Sequence, residues 1–438
     1  HTAALAGSEA AVDALFHQAG VLRARTLEEL VDVAGLLSSQ PLPRGRRVGV
    51  LTNAGGLGIL CADACEAAGL ELPELAEETR GALREMLPGD GSVANPVDML
   101  GSATGATYER AIPPLLADPR VDAVIVLFVP PVVAGASEVA AAVARAVESV
   151  LTDKPVLAVV MSAEGTPAEL LGSDLASFAY PESAARALGL AAERGEWLRR
   201  PVGSVPELDG LDRNAAAAVF ADAGEGWLDP GQTRALLGAY GLPLVPERTA
   251  ATLDDALAAA VEIGFPVVVK TAAAGAHKTE SGGIALDLGD EQRVREAIER
   301  IGLPVIVQRY LAGGTELLAG VVQDPVFGPL VAFGPGGVYA ELIGDAAFRI
   351  APITDVDAEE LVTGGKAGRL VAGFRGRPPA DVSALTDLVH RLGRLAEDFP
   401  EVSELDLNPV LAMPDGCVAV DARVHLQARP SERALKSW

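Results

Sequence analysis

Apolar and polar positions change period several times along this chain, and the changes divide it. SEAAVDALFHQAG (8–20) carries apolar residues at helical spacing, with Gly20 as a stop. TLEELVDVAGLL (26–37) does the same, with Thr26 as N-cap and Glu29 completing a capping box. After LPRGRR (42–47) the pattern becomes continuous apolar runs alternating with helical ones. RRVGVLTNAGG (46–56) reads as a strand ending in a Gly-rich turn, and ILCADACEAAGLEL (59–72) as its helix and the entry to a further strand. VDAVIVLFVPP (121–131), SEVAAAVARAVESVL (137–151) and KPVLAVVMS (154–162) read as strand, helix, strand. Fully apolar strands at this spacing predict a doubly wound, flavodoxin-like parallel sheet.

RRPVGSVPELDGLD (199–212) breaks the pattern with Pro, Gly and Asp, and a second region follows. GQTRALLGAYGLP (231–243), TLDDALAAAVEIG (252–264, capped by Thr252) and EQRVREAIERI (291–301) have helical periodicity. GFPVVVK (264–270), PVIVQRYL (304–311), TELLAGVVQD (315–324) and PLVAFG (329–334) read as strands, and PDG (414–416) turns a late hairpin. The expected organisation is 1–42 as the end of a preceding domain, 43–200 as the flavodoxin-like domain, 201–224 as linker and 225–438 as a further α/β domain.

Composition narrows the partners. A net charge of −25 excludes nucleic acid, which needs a basic stripe, and disfavours an anionic membrane surface. Apolar residues at 49% suffice for globular cores. No apolar run reaches the ~18 residues of a membrane span, and no signal peptide is visible. Cys61, Cys65 and Cys417 form no disulfide framework and read as thiols in a reducing cytoplasm. The chain opens with His1 rather than methionine, as if inside a longer protein.

Three features carry chemistry. Lys270 emerges at the end of an apolar strand, where an ammonium can meet a phosphate as a point charge. ELDLNPVLAMPDGCVAVDAR (404–423) places Asp406, Asn408 and Asp421 on two paired strands, with Arg423 on the face of Asp421. Mg²⁺ takes such hard oxygens, few from protein and the rest from phosphate and water. FGPGGVYAELIGD (333–345), including Gly336 and Gly337, lets backbone N–H groups approach an anion. With His277 in a polar loop after Lys270, the first expectation is nucleotide-driven phosphoryl transfer. His17, His390 and His425 have no ligand spacing and read as structural.

In combination, most of 225–425 resembles an ATP-grasp domain. More narrowly, the chain resembles the NDP-forming acyl-CoA synthetases, relatives of succinyl-CoA synthetase. The residues that carry this are YGLP (240–243), GFPVVVK, HKTESGG (277–283), VQRYLAGGTELLAGVVQDPVFGPLVAFGPGG (307–337), AFRIAP (347–352) and ELDLNP. In the first half they are VGVLTNAGGLGILCADACEAAGLEL (48–72), NPVD (95–98) and YPESAARAL (180–188).

The resemblance implies roles for particular residues. Lys270 and Arg423 would bind phosphates, Asn408 and Asp421 would hold Mg²⁺, and Glu316 would reach the ribose. The Gln308–Tyr310 backbone would be the adenine hinge, with Gly336 and Gly337 in the nucleotide loop. His1, ahead of Leu5-Ala6-Gly7-Ser8, would be phosphorylated during turnover, and His277 would relay the group, with Gly282 and Gly283 beside it. The cofactors would be ATP/ADP, Mg²⁺ and CoA. The reaction would be acid + CoA + ATP to acyl-CoA + ADP + Pi, through an acyl phosphate and a phosphohistidine. The acyl group and the choice between adenine and guanine stay open, and a homo-oligomer is expected. Ala3 and Glu280 depart from the family's usual Gly and Asp. The family's N-terminal CoA-binding domain is not in this sequence, so this stretch alone would be incomplete. Two rivals accompany this reading. One is the synthetase-like regulatory region of a protein lysine acetyltransferase, which binds acyl-CoA or nucleotide without turnover. The other is a different ATP-grasp ligase, such as a carboxylate–amine ligase.

Overall fold

The computed structural model describes residues 8–130, 135–161, 165–171, 173, 175–272, 283–337 and 346–428. His1, Ala3, His277, Glu280 and Gly282 lie outside them. The chain divides into two compact units, residues 20–200 and residues 201–438 joined by the first 19.

In residues 20–200, β1 (Val48–Thr52), β2 (Val97–Asp98), β3 (Ala123–Phe128), β4 (Val156–Val160) and β5 (Ala176–Phe178) form one sheet in the order β2-β1-β3-β4-β5. All its pairings are parallel, which is the flavodoxin-like order. Successive strand residues feed opposite faces, as the two-residue period requires. Val48, Val50, Ile125, Leu127, Leu157 and Val159 pack with Val33, Leu36, Cys61, Cys65 and Leu188 of helices Leu27–Ser39, Gly55–Ala67 and Pro181–Arg199. Leu51, Val124, Val126, Phe128 and Val156 pack on the other side with Leu83, Tyr108, Ile112 and Val139. Thr26 caps its helix by accepting from Glu29 N–H at 3.1 Å, but the Glu29 carboxylate reaches Arg25 N–H rather than that of Thr26, so the expected capping box is shifted by one residue.

The second unit holds two antiparallel sheets. The smaller is β7 (Glu247–Ala250), β10 (Val305–Arg309), β8 (Val267–Thr271) and β9 (Ile284–Leu288), in that spatial order. Val267, Val269, Val305 and Val307 pack on Ala256, Ala260, Val294 and Ile298 of helices Leu253–Ile263 and Glu291–Ile301. The residues that alternate with them, Val268, Lys270, Ile306 and Gln308, therefore face the other way.

The larger sheet runs β13 (Ala347–Ile350), β12 (Gly328–Pro335), β11 (Thr315–Asp324), β14 (Val402–Met413), β16 (Ala422–Leu426), β6 (Gly226–Trp227), with β15 (Gly416–Ala419) also paired to β14. One face carries Leu317, Ala319, Val321, Leu405 and Leu407 against helices that include Pro230–Ala239 and Val382–Asp398. Helix Arg213–Asp222, capped by Asp212, adds Ala216 to that core, so part of the stretch read as linker is folded. On the opposite face Leu318, Leu330, Ala332 and Phe348 are covered by Ala11 and Ala14 of helix Ser8–Ala19. The first helix thus belongs to this unit. Among the described residues no helix is long and apolar enough to cross a membrane.

Candidate active site

Lys270 lies on the second face of the small sheet, with Val268, Ile306 and Gln308, and is buried, 4% exposed. Its Nζ donates to Val420 O at 3.2 Å and Asp421 Oδ1 at 3.4 Å, and lies 3.5 Å from Glu247 Oε2. The strand that reads VVVK thus points its lysine across to the late hairpin of the large sheet.

That hairpin supplies the acceptors. β14 pairs with β15 from Met413↔Gly416 to Val410↔Ala419, and with β16 from Leu407↔Ala422 onward, including Asp406↔Arg423. The same register sets Asn408 opposite Asp421, and Asn408 N–H donates to Asp421 O at 3.3 Å. Pro409 has no N–H to continue the ladder. Leu405 and Leu407 enter the core, so Asp406 turns to the far side, with Arg423 opposite it.

A cleft with a cavity volume of about 70 Å³ runs along this junction. Lys270, Thr271 and Ile306 line it from the small sheet, Asp421 and Arg423 from the hairpin, and Trp227 and Arg234 from the segment before β7. Gln308 joins the cluster through its side chain, whose Nε2 donates to Glu247 Oε2 at 2.7 Å and Val420 O at 2.8 Å.

A second cluster lies at the β11–β12 end. Gly337 N–H donates to Asn408 Oδ1 at 3.0 Å, and Gly336 N–H to Glu316 O at 3.0 Å. Gly337 has φ +71°, and a Cβ there would collide with Glu316 Oε2; one on Gly336 would meet the Leu317 backbone. Only glycine fits this close approach. The two clusters meet through Asn408 and Asp421. In the 308–310 stretch, Arg309 N–H is taken by Pro246 O at 3.0 Å and Tyr310 N–H by Pro266 O at 3.1 Å. Glu247 and Arg234 had no signal in the sequence: each is one charged residue with no motif around it, and only the fold brings Glu247 to Lys270 and Arg234 to Glu247. His17 meets Glu360 at 3.0 Å; His425 meets Ser403 at 2.7 Å and packs edge-on against the cleft-lining Trp227, 5.0 Å between ring centres, but is not itself among the residues that line the cleft.

A buried lysine facing an Asn/Asp hairpin between two antiparallel sheets, in a chain that also holds a separate parallel αβ unit, fits a protein that joins an ATP-grasp unit to a CoA-ligase unit. Comparison with known families agrees: residues 220–426 match the ATP-grasp domain, 48–200 the Ligase-CoA domain and 1–37 the succinyl-CoA ligase like flavodoxin domain. The chain is 35% identical to acetate–CoA ligase (ADP-forming) I of Archaeoglobus fulgidus, over 97% of this chain and 63% of that protein. It is 32% identical to 4-hydroxybutyrate–CoA ligase (ADP-forming) of Nitrosopumilus maritimus, over 97% of this chain and 64% of that protein. It is 36% identical to the beta subunit of acetate–CoA ligase (ADP-forming) I of Pyrococcus furiosus, over 44% of this chain and 90% of that subunit. The chain belongs to the ADP-forming acyl-CoA synthetase family. It spans a little under two thirds of the length of the first two relatives, 63% and 64%.

Proposed function

We propose that this chain is the nucleotide-binding and phosphoryl-transferring part of an ADP-forming acyl-CoA synthetase, which couples acid + CoA + ATP to acyl-CoA + ADP + Pi. The observation that carries the reading is the buried Lys270 set against Asp421 beside Arg423 in one cleft. Lys270 and Arg423 hold the phosphates of ATP as fixed cations, which favours charge spreading onto the transferred group. Asn408 and Asp421 offer hard oxygens opposite one another, a donor set that fits Mg²⁺ with phosphate and water as its other ligands. Mg²⁺ bound there would neutralise phosphate charge. Glu316 reaches the ribose, the 308–310 backbone meets the base through its carbonyls, since the Arg309 and Tyr310 N–H groups are taken within the protein, and Gly336 and Gly337 let the chain lie close to the nucleotide.

The γ-phosphoryl group passes to His1, relayed by His277, and from His1 to the acid's carboxylate. CoA thiolate then displaces phosphate from the acyl phosphate, which releases Pi. Both histidines lie outside the described residues, and their roles rest on the family motifs. Three free thiols support a cytoplasmic setting, and a relative built of separate subunits supports an oligomer.

Calorimetry of the full chain with ATP and Mg²⁺ tests the site. Asp421→Asn keeps the shape and removes the charge. Its affinity for Mg·ATP is expected to fall about tenfold, with stability changed by less than ~1 kcal/mol. An unchanged Mg²⁺ dependence would remove Asp421 from the metal site, and no heat at millimolar ATP would sink the nucleotide assignment.

A further inference from the structure

Lys270 has a second carboxylate partner that the phosphate chemistry does not call for. A buried ammonium must be compensated, because desolvating an unpaired charge costs several kcal/mol or more. Asp421 provides one counter-charge, but it stands in the connection between β15 and β16 at the place proposed for a metal ion. The other is Glu247, first residue of β7, at the register position opposite Gln308.

Glu247 is held from several sides. Its Oε2 accepts from Gln308 Nε2 at 2.7 Å, and its Oε1 lies 3.3 Å from an Arg234 guanidinium nitrogen. Arg234 also donates to Val245 O at 2.7 Å. The amide of Gln308 bridges the two sheets, since it donates to both Glu247 and Val420 O, the carbonyl that also accepts from Lys270. Arg234, Glu247, Lys270 and Asp421 therefore form a charge chain of two cations and two anions. If Asp421 turns to a cation, Lys270 and Arg234 share Glu247 alone, and the cleft gains a net positive charge that attracts polyphosphate.

We infer that Glu247 is the resident counter-ion of Lys270, a positioning residue aimed by Gln308 and Arg234 that holds the ammonium at the cleft while Asp421 serves the incoming nucleotide. The pairing stands on the geometry, whereas its purpose rests on the nucleotide reading of the cleft.

A double-mutant cycle on the full chain tests it, with Glu247→Gln, Glu247→Ala and Lys270→Met, alone and combined. The readouts are thermal unfolding without ligand and ATP affinity across a Mg²⁺ series. Glu247→Gln is expected to weaken ATP binding about tenfold with an unaltered Mg²⁺ dependence, unlike Asp421→Asn. The loss should vanish in the Lys270→Met background, because the residue it acts through is gone. An equal loss in that background, no loss at all, or a changed Mg²⁺ dependence would overturn the assignment. If the wild-type chain takes up no ATP, the nucleotide reading fails, and the ligand-free cycle decides the pairing: non-additive unfolding effects support it and additive ones reject it.

Discussion

Lysine at the end of an apolar strand has no fixed meaning until its neighbours are known. Lys270, Asn408, Asp421 and Arg423 could be singled out in the sequence as candidates because strand alternation and turn chemistry act over a few residues. Glu247 and Arg234 were not, since their importance comes only from contact with groups far along the chain. Another residue-scale consequence concerns His390. It lies on helix Val382–Asp398, and its Nδ1 is buried with no hydrogen-bond partner among the described residues. Burial pushes its pKa below the ordinary 6.5, opposed by Asp387, Asp355 and the Ile353 carbonyl. A histidine with a depressed folded-state pKa contributes stability that is present above its unfolded pKa and lost as pH falls toward the folded value. The unfolding midpoint should therefore drop as pH falls below about 6.5, and His390→Leu should flatten that part of the profile. An unchanged acid limb in thermal scans would exclude His390 as its source.

Elements with a strong period agree closely with the sequence reading, such as β11 over Thr315–Asp324 and the helix Glu291–Ile301. β2 and β5 did not show, because two and three residues are too few to display alternation. Helix Gly105–Ala117 was hidden by Pro113 and Pro114, which ordinarily break a helix. Burial of Tyr108, Ala111, Ile112 and Leu115 outweighs that local signal. Helix Val382–Asp398 did carry one: Leu385, Leu388, Val389, Leu392 and Leu395 recur at helical spacing. The first helix shows what periodicity alone leaves undecided. Its Gln18 amide accepts from Ile350 N–H at 2.7 Å and donates to Ile350 O at 3.0 Å, which completes the edge strand β13. Gln18→Ala removes both bonds, at a cost of about 1–2 kcal/mol. Hydrogen exchange at Ile350 should accelerate while the small sheet stays protected. Unaltered exchange there would show that the helix docks by its apolar face alone.

Each of the two units has its own hydrophobic core, Leu51, Tyr108 and Val126 in one and Leu317, Leu385 and Leu405 in the other. Units with separate cores unfold separately when little couples them. Calorimetric scans of the whole chain are expected to show two transitions, and ATP with Mg²⁺ should raise only the one belonging to the unit of residues 1–19 and 201–438. Residues 20–200 expressed alone should reproduce the other. A single transition that ATP shifts as a whole would mean that the units fold as one. The sequence by itself determined the parallel αβ layer, most of the strands of the second unit and the polar residues at their ends, because helical period, strand alternation and turn residues act over short distances. The tertiary structure alone decided that Lys270 meets Asp421, 151 positions away, that Glu247 joins them, and that the first helix covers strands that come about 300 positions later. Such contacts depend on how elements pack and pair, and no local pattern records which distant partner each will find.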